Sequence, residues 1–281
     1  MKAAHLVVII SIFASTISQR IAKLKCLDYS LLAKQDRNSP LCHIQDDKSS
    51  GVKIEPNEFP GSAMLGFNTT DTEVLYLCDA TLISEDTLIA PGHCVKQPQY
   101  GKPTWVRLGA TYSTLGVEVE VKESLCHPQY NPGHDIALIK LKQRLNSSYI
   151  PACLDTEGVE PGAKGVGVGR PIGSAYVELR EKCPVKSWLE VKPASTCNEV
   201  FPSQNISSEA TLCTKDPANG PGDCLSGPLY VFKESCVLSV AGLASFGKIC
   251  LDETSNGRTP SVYTKVAHYV PWIESIAWPS E

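Results

Sequence analysis

This 281-residue chain has twelve cysteines and six histidines, yet it contains no CxxC pair and no HxxxH spacing. The common structural zinc arrangements are therefore not expected, and no metal or other cofactor is predicted. Long hydrophobic runs are also missing. The apolar stretch "LVVIISIFA" near the N-terminus falls well short of the ~20 residues that cross a bilayer, and nothing later is longer. Neither sign of charge dominates, with 26 basic against 30 acidic side chains. Nucleic acid and anionic membrane surfaces are accordingly not expected as partners. There is no internal repeat either, so a chain of this length is expected to bury one substantial core or two smaller ones packed together.

Lys2, the apolar run and the small or polar positions around Thr16 and Ser18 suit a cleaved signal peptide over residues 1–18, with a membrane anchor as the alternative. Only Lys2 among the charged residues lies there, so the remainder carries 25 basic against 30 acidic groups. All twelve cysteines follow the segment, and an even count in an exported chain reads as a disulfide framework. Sequons at Asn68, Asn146 and Asn205 become plausible glycosylation sites in the same context. A secreted, extracellular glycoprotein is expected.

Residues 19–47 read as a polar, irregular extension anchored by Cys26 and Cys42. From Gly51 onward, short apolar runs such as "EVLYLC", "TLISEDTLIA", "WVRLGA" and "VEVEV" alternate with Gly, Pro and Asn punctuation, the pattern of many short strands. The end differs. Val266, Val270, Ile273 and Ala277 recur at helical spacing, and Pro271 is expected to fall in the first turn of that helix.

Several motifs appear in a fixed order: "CDATLISEDTLIAPGHCV" with His93 beside Cys94, "HDIALIKL" around Asp135, "GVGVG" at 165–169, "SFGKIC" ending at Cys250, and "VYTKVAHYVPWIESI". Their order and spacing resemble the trypsin-like, chymotrypsin-fold serine proteases over roughly residues 48–278. With "EPNEFP" at 55–60, the chain looks most like insect haemolymph serine proteases and their non-catalytic homologues. The resemblance implies an all-β fold of two perpendicular six-stranded barrels, with a short C-terminal helix and a cleft between the barrels. It makes 48–281 the protease-like domain. It also gives His93 the role of general base and Asp135 that of its orienting partner, which could equally persist as structural remnants.

At the nucleophile the sequence departs from the family. The family's Cys-x-Gly-Asp-Ser-Gly-Gly-Pro separates cysteine from proline by seven steps, whereas "CLSGP" separates Cys224 from Pro228 by four. Three missing residues remove roughly 10 Å of extended reach. Ser226, the one serine in the loop, stands two residues before Pro228 instead of three, and a glycine whose N–H helps form the oxyanion hole is gone. Losing one such donor costs about 10²- to 10³-fold in rate. An alternative alignment places Cys224 in the nucleophile slot, but it leaves Cys250 without its usual partner.

The activation switch departs too. Family zymogens are cut before an Ile-Val-Gly-Gly-type run, but counting back from "EPNEFP" puts "KSSG" there, with Lys48 where isoleucine belongs. The acidic partner for a new N-terminus is lost from the shortened loop, since Asp223 precedes Cys224. The resemblance pairs Cys78–Cys94, Cys197–Cys213 and Cys224–Cys250, and ties Cys153 to Cys26 or Cys42. That leaves Cys183 with Cys236 and Cys126 with the other N-terminal cysteine.

These readings favour a non-catalytic protease homologue acting by protein contacts, with cascade proteases or their zymogen substrates as partners, in an extracellular cascade such as insect humoral immunity. An active endopeptidase using His93, Asp135 and Ser226 is the alternative. A decoy that sequesters substrate, or a secreted effector on the same scaffold, is a third.

Overall fold

The computed structural model describes residues 21–32, 50–55, 58–70, 73–96, 99–109, 116–170, 184–204, 206–217, 225–232, 238–247 and 259–279. The first barrel is built from β2 (Ser62–Asn68), β3 (Val74–Ser84), β4 (Thr87–Ala90), β5 (Trp105–Leu108), β6 (Val117–Cys126) and β7 (Ala137–Leu141), closed in the order β2-β3-β4-β7-β6-β5. The second comprises β9 (Lys164–Gly169), β10 (Val185–Lys192), β11 (Thr211–Lys215), β12 (Pro228–Phe232), β13 (Leu238–Gly247) and β14 (Ser261–Lys265). Its ring closes because β9 pairs with both β12 and β10. Two further strands join it at the margins: β1 (Ser50–Lys53) beside β10, and the short β8 (Cys153–Leu154), parallel to β13.

The near-continuous apolar runs have a geometric cause. In β4, Leu88 and Ala90 point into the first barrel while Ile89 joins the core between the barrels. The same alternation in β7 sends Ala137, Ile139 and Leu141 inward and Leu138 outward. Period-two side chains with both faces buried demand hydrophobicity at every position. On β9, Val166 and Val168 serve the core between the barrels. Gly165 and Gly167 turn to the other side, where an added Cβ would meet Leu229 and Leu189 at 2.9 and 2.8 Å.

Helix α1 covers 21–32, α2 Ala194–Val200 and α3 Val266–Ala277. Two expectations change here. The extension is helical at 21–32, where Ala22 and Tyr29 are buried and Cys26 is bonded to Cys153. Positions 22, 26 and 29 share a helix face, so the docked side carries the helical period although the opposite side displays Leu24, Leu27 and Leu31 to solvent. Pro271 is the sixth residue of α3, beyond its first turn. It lacks an N–H to donate to Ala267, and buried Val266, Tyr269, Val270 and Ile273 on either side hold the helix in place through that gap. No helix among the described residues is long and apolar enough to cross a membrane.

Candidate active site

His93 sits in a 3₁₀ turn, Gly92–Cys94, directly after β4, and the Cys78–Cys94 disulfide fastens that turn to β3. Gly92 is required by close approach: a Cβ there would stand 2.7 Å from the Tyr130 ring. Asp135 lies just before β7, which pairs with β4, so the barrel's register brings the two residues together. Asp135 is 3% exposed. Its Oδ1 accepts from His93 N (2.7 Å), and its Oδ2 accepts from His93 Nδ1 (2.8 Å) and from Ser245 Oγ (2.6 Å). Thr264 Oγ1 donates to its main-chain carbonyl at 2.9 Å. A carboxylate facing Nδ1 fixes the Nδ1–H tautomer, leaving the Nε2 lone pair for a proton. The His93 side chain is 42% exposed, although Asp135 holds its ring at Nδ1.

Ser226 is placed elsewhere. Its Oγ donates to Asp79 Oδ2, has the Arg170 carbonyl at 3.1 Å, and accepts from Arg170 N–H at 3.2 Å. No hydrogen bond joins it to His93 among the described residues. Asp79 and Arg170 form a buried ion pair across the barrels, with Nη2 3.2 Å and Nε 3.3 Å from Oδ1, and Arg170 Nη1 donates to the Tyr76 carbonyl at 2.8 Å. The adjoining backbone is pressed onto β9. Ser226 N donates to the Arg170 carbonyl at 3.2 Å, and a Cβ on Gly227 would lie 2.0 Å from the Val168 carbonyl. Leu225, next in line, is 3% exposed.

Among the described residues, Ser226 Oγ is therefore bonded away from His93. Serine reactivity depends on transfer of its proton to a base within about 2.6–3.2 Å. Here that proton faces a carboxylate paired with a guanidinium. The sequence reading assigned no role to Ser245, Asp79 or Arg170. Ser245 lies within the quoted "SFGKIC" motif and Asp79 within "CDATL", so their neighbourhood was visible, whereas the 79–170 pairing spans 91 positions.

Cys126 is a correction. It was expected to bond an N-terminal cysteine, but its thiol is free, with Sγ 3.9 Å from the carbonyls of Gly92 and Ile136. Cys26 is already joined to Cys153. Burial pushes the Cys126 thiol pKa up, which disfavours its thiolate. Cys197–Cys213 is formed. Cys42, Cys183, Cys224, Cys236 and Cys250, and with them the expected Cys183–Cys236 and Cys224–Cys250 bonds, lie outside the described residues, as do Lys48, Asp223 and Asn205. Asn68 and Asn146 are exposed. The ligand atoms of Cys78, His93 and Cys94 lie within 4.8 Å of one another, but both sulfurs are consumed by the disulfide and cannot act as thiolate ligands.

The family described as Trypsin matches residues 48–273. The chain belongs to the trypsin family. Among its relatives, serine protease snk of Drosophila melanogaster is 28% identical, with 93% of this chain and 66% of that protein covered. Phenoloxidase-activating factor 1 of Holotrichia diomphalia is 30% identical, over 82% of this chain and 70% of that protein. Among solved structures, neuropsin, a serine protease expressed in the limbic system of mouse brain, aligns with a TM-score of 0.62 at 25% identity, covering 80% of this chain and 97% of that one. Within this trypsin-family framework, the candidate site holds two separate clusters, His93–Asp135–Ser245 and Asp79–Arg170–Ser226.

Proposed function

We propose that this chain is a secreted trypsin-family homologue without peptidase activity. It acts through protein contacts as an accessory or regulator of an extracellular proteolytic cascade of the innate immune type. The observation that carries this reading is the bonding of Ser226 Oγ to Asp79 and Arg170 in place of His93. The shortened Cys224–Pro228 spacing and the "KSSG" sequence at the activation position point the same way. The cascade assignment draws on relatives whose names place them among phenoloxidase-activating factors and CLIP domain-containing serine proteases. Export is supported by the N-terminal segment and by disulfides of a kind that persist in oxidising compartments.

The intact His93–Asp135–Ser245 geometry favours a second reading, an endopeptidase whose loop rearranges on binding substrate. A fluorophosphonate probe separates the two. The purified chain, before and after limited cleavage near Lys48, is expected to remain unlabelled and to leave arginyl, lysyl and aromatic peptide substrates intact. Labelling or turnover that disappears in Ser226→Ala would establish the peptidase reading instead.

A further inference from the structure

The outer face of the first barrel carries a cleft that the chemistry above does not use. In β2, Leu65 and Phe67 point into the barrel and are fully buried, so Gly66 and Asn68 point outward. Val106 points inward on β5, which turns Trp105 to the same outer face, where it pairs with Gly66, two positions from Asn68. The β5–β6 ladder ends at Trp105 and Glu120, and a bulge between Val121 and Glu123 bends β6 further on. A cavity of about 550 Å³ opens where the two strands part, with Asn68, Thr104, Trp105 and Ser124 among its walls. Ligand clefts commonly measure ~300–1,000 Å³, whereas a single water needs only ~30 Å³.

Asn68 is exposed and begins the sequon Asn68-Thr69-Thr70. Thr104 Oγ1 donates to its Oδ1 at 3.0 Å, which orients the amide and leaves Nδ2 without a hydrogen-bond partner among the described residues. Nδ2 is the atom that carries an N-linked glycan. At the inner wall Ser124 is 7% exposed, and its Oγ also has no partner among the described residues. A buried hydroxyl left unpaired is costly, and a polar ligand in the cleft would satisfy it. Trp105 is half-buried and supplies an aromatic surface. One face of a sugar ring is made of C–H bonds, and an aromatic side chain against it removes apolar area from water.

We propose that the first sugars of an N-linked glycan on Asn68 are seated in this cleft, stacked on Trp105 and hydrogen-bonded to its polar wall. This rests on the reading of the chain as exported, because only such a chain meets the lipid diphosphate-linked oligosaccharide that acts as donor. Attachment forms a bond from Nδ2 to C1 of the first sugar. The C1–oxygen bond to the lipid diphosphate breaks, the diphosphate leaves with the electron pair, and Nδ2 gives up one proton. A seated glycan takes this face away from any partner protein, so the contacts of the proposed cascade role fall elsewhere on the surface.

The test uses the full chain, with its own N-terminal segment, recovered from the medium of insect cells. Peptide mass spectrometry should find Asn68 glycosylated. In a time course with peptide-N-glycosidase on folded protein, Trp105→Leu should release the Asn68 glycan about tenfold faster than the parent, the scale of one stacked aromatic contact. Release at Asn146, exposed between β7 and β8, should not change. Thr104→Val, at an exposed position, frees the amide of Asn68 and should also speed release, so it stays informative if Trp105→Leu fails to fold. In the parent, nuclear magnetic resonance should show sugar C–H signals shifted upfield by the indole ring. A chain recovered from the medium with Asn68 bare would overturn the proposal and leave the export reading standing, whereas retention inside the cells would remove both. Equal release from the parent and the folded variants, with no upfield-shifted sugar signal, would overturn it as well.

Discussion

The Asp79 and Arg170 side chains are only 9% and 7% exposed, and each is the other's charge partner. Removing one member of such a pair strands the other in a poorly solvated site. Arg170→Met is expected to cost about 3–5 kcal/mol of unfolding free energy in chemical denaturation. Combining it with Asp79→Leu should restore most of that loss, since apolar residues of similar volume can replace a buried pair at little net cost. An additive double variant would mean that the two residues do not act as a pair. Ser226→Ala belongs to the same cluster. It should lower stability by about 1.5–3 kcal/mol, the range for a hydrogen bond to a charged group, without changing any enzymatic readout. On the proposed reading, the Ser226 hydroxyl serves as a structural group and not as a nucleophile.

Helix α1 is held by two different interactions. Cys26–Cys153 closes a loop spanning 127 residues, and the Ala22 N–H at the helix start donates to buried Glu274 Oε1 of α3 at 2.7 Å. A crosslink over so long a loop restricts the unfolded chain strongly. Replacing both cysteines by serine should therefore cost about 2–5 kcal/mol and expose the helix to proteolysis. An unchanged unfolding midpoint and an unchanged protease digestion pattern would show that α1 docks without its tether. Sequence reading missed this helix because leucines occur on the side facing solvent as well as the side facing the barrel, so no clean polar face marks the period. The same difficulty hides Pro271 in the second turn of α3. Local propensity ends a helix near proline, and only the packing of Tyr269, Val270 and Ile273 carries it through.

Across the whole molecule, the proposed loss of activity rests on two separate departures from the family sequence, in the nucleophile loop and the activation segment, which would have to be repaired together. Replacing Leu225-Ser226 with Gln-Gly-Asp-Ser-Gly restores the family's spacing, but the restored aspartate would have no isoleucine ammonium to pair with. Chromogenic peptide assays should find little or no turnover until "KSSG" is also rebuilt as arginine followed by Ile-Val-Gly-Gly and cut there. The gain from the two changes should be strongly non-additive. Robust hydrolysis after loop repair alone would refute this account of the switch. The double-barrel class and the pairing of His93 with Asp135 were legible in the sequence. Strand alternation, punctuation and motif spacing are local properties that survive in one dimension. The sequence alone left open where Ser226 Oγ would point and which side chains would meet. Asp79 with Arg170 and His134 with Tyr269 are joined across 91 and 135 positions. Such partners are selected by barrel closure and by the packing of one barrel on the other, and no pattern within a short window records that choice.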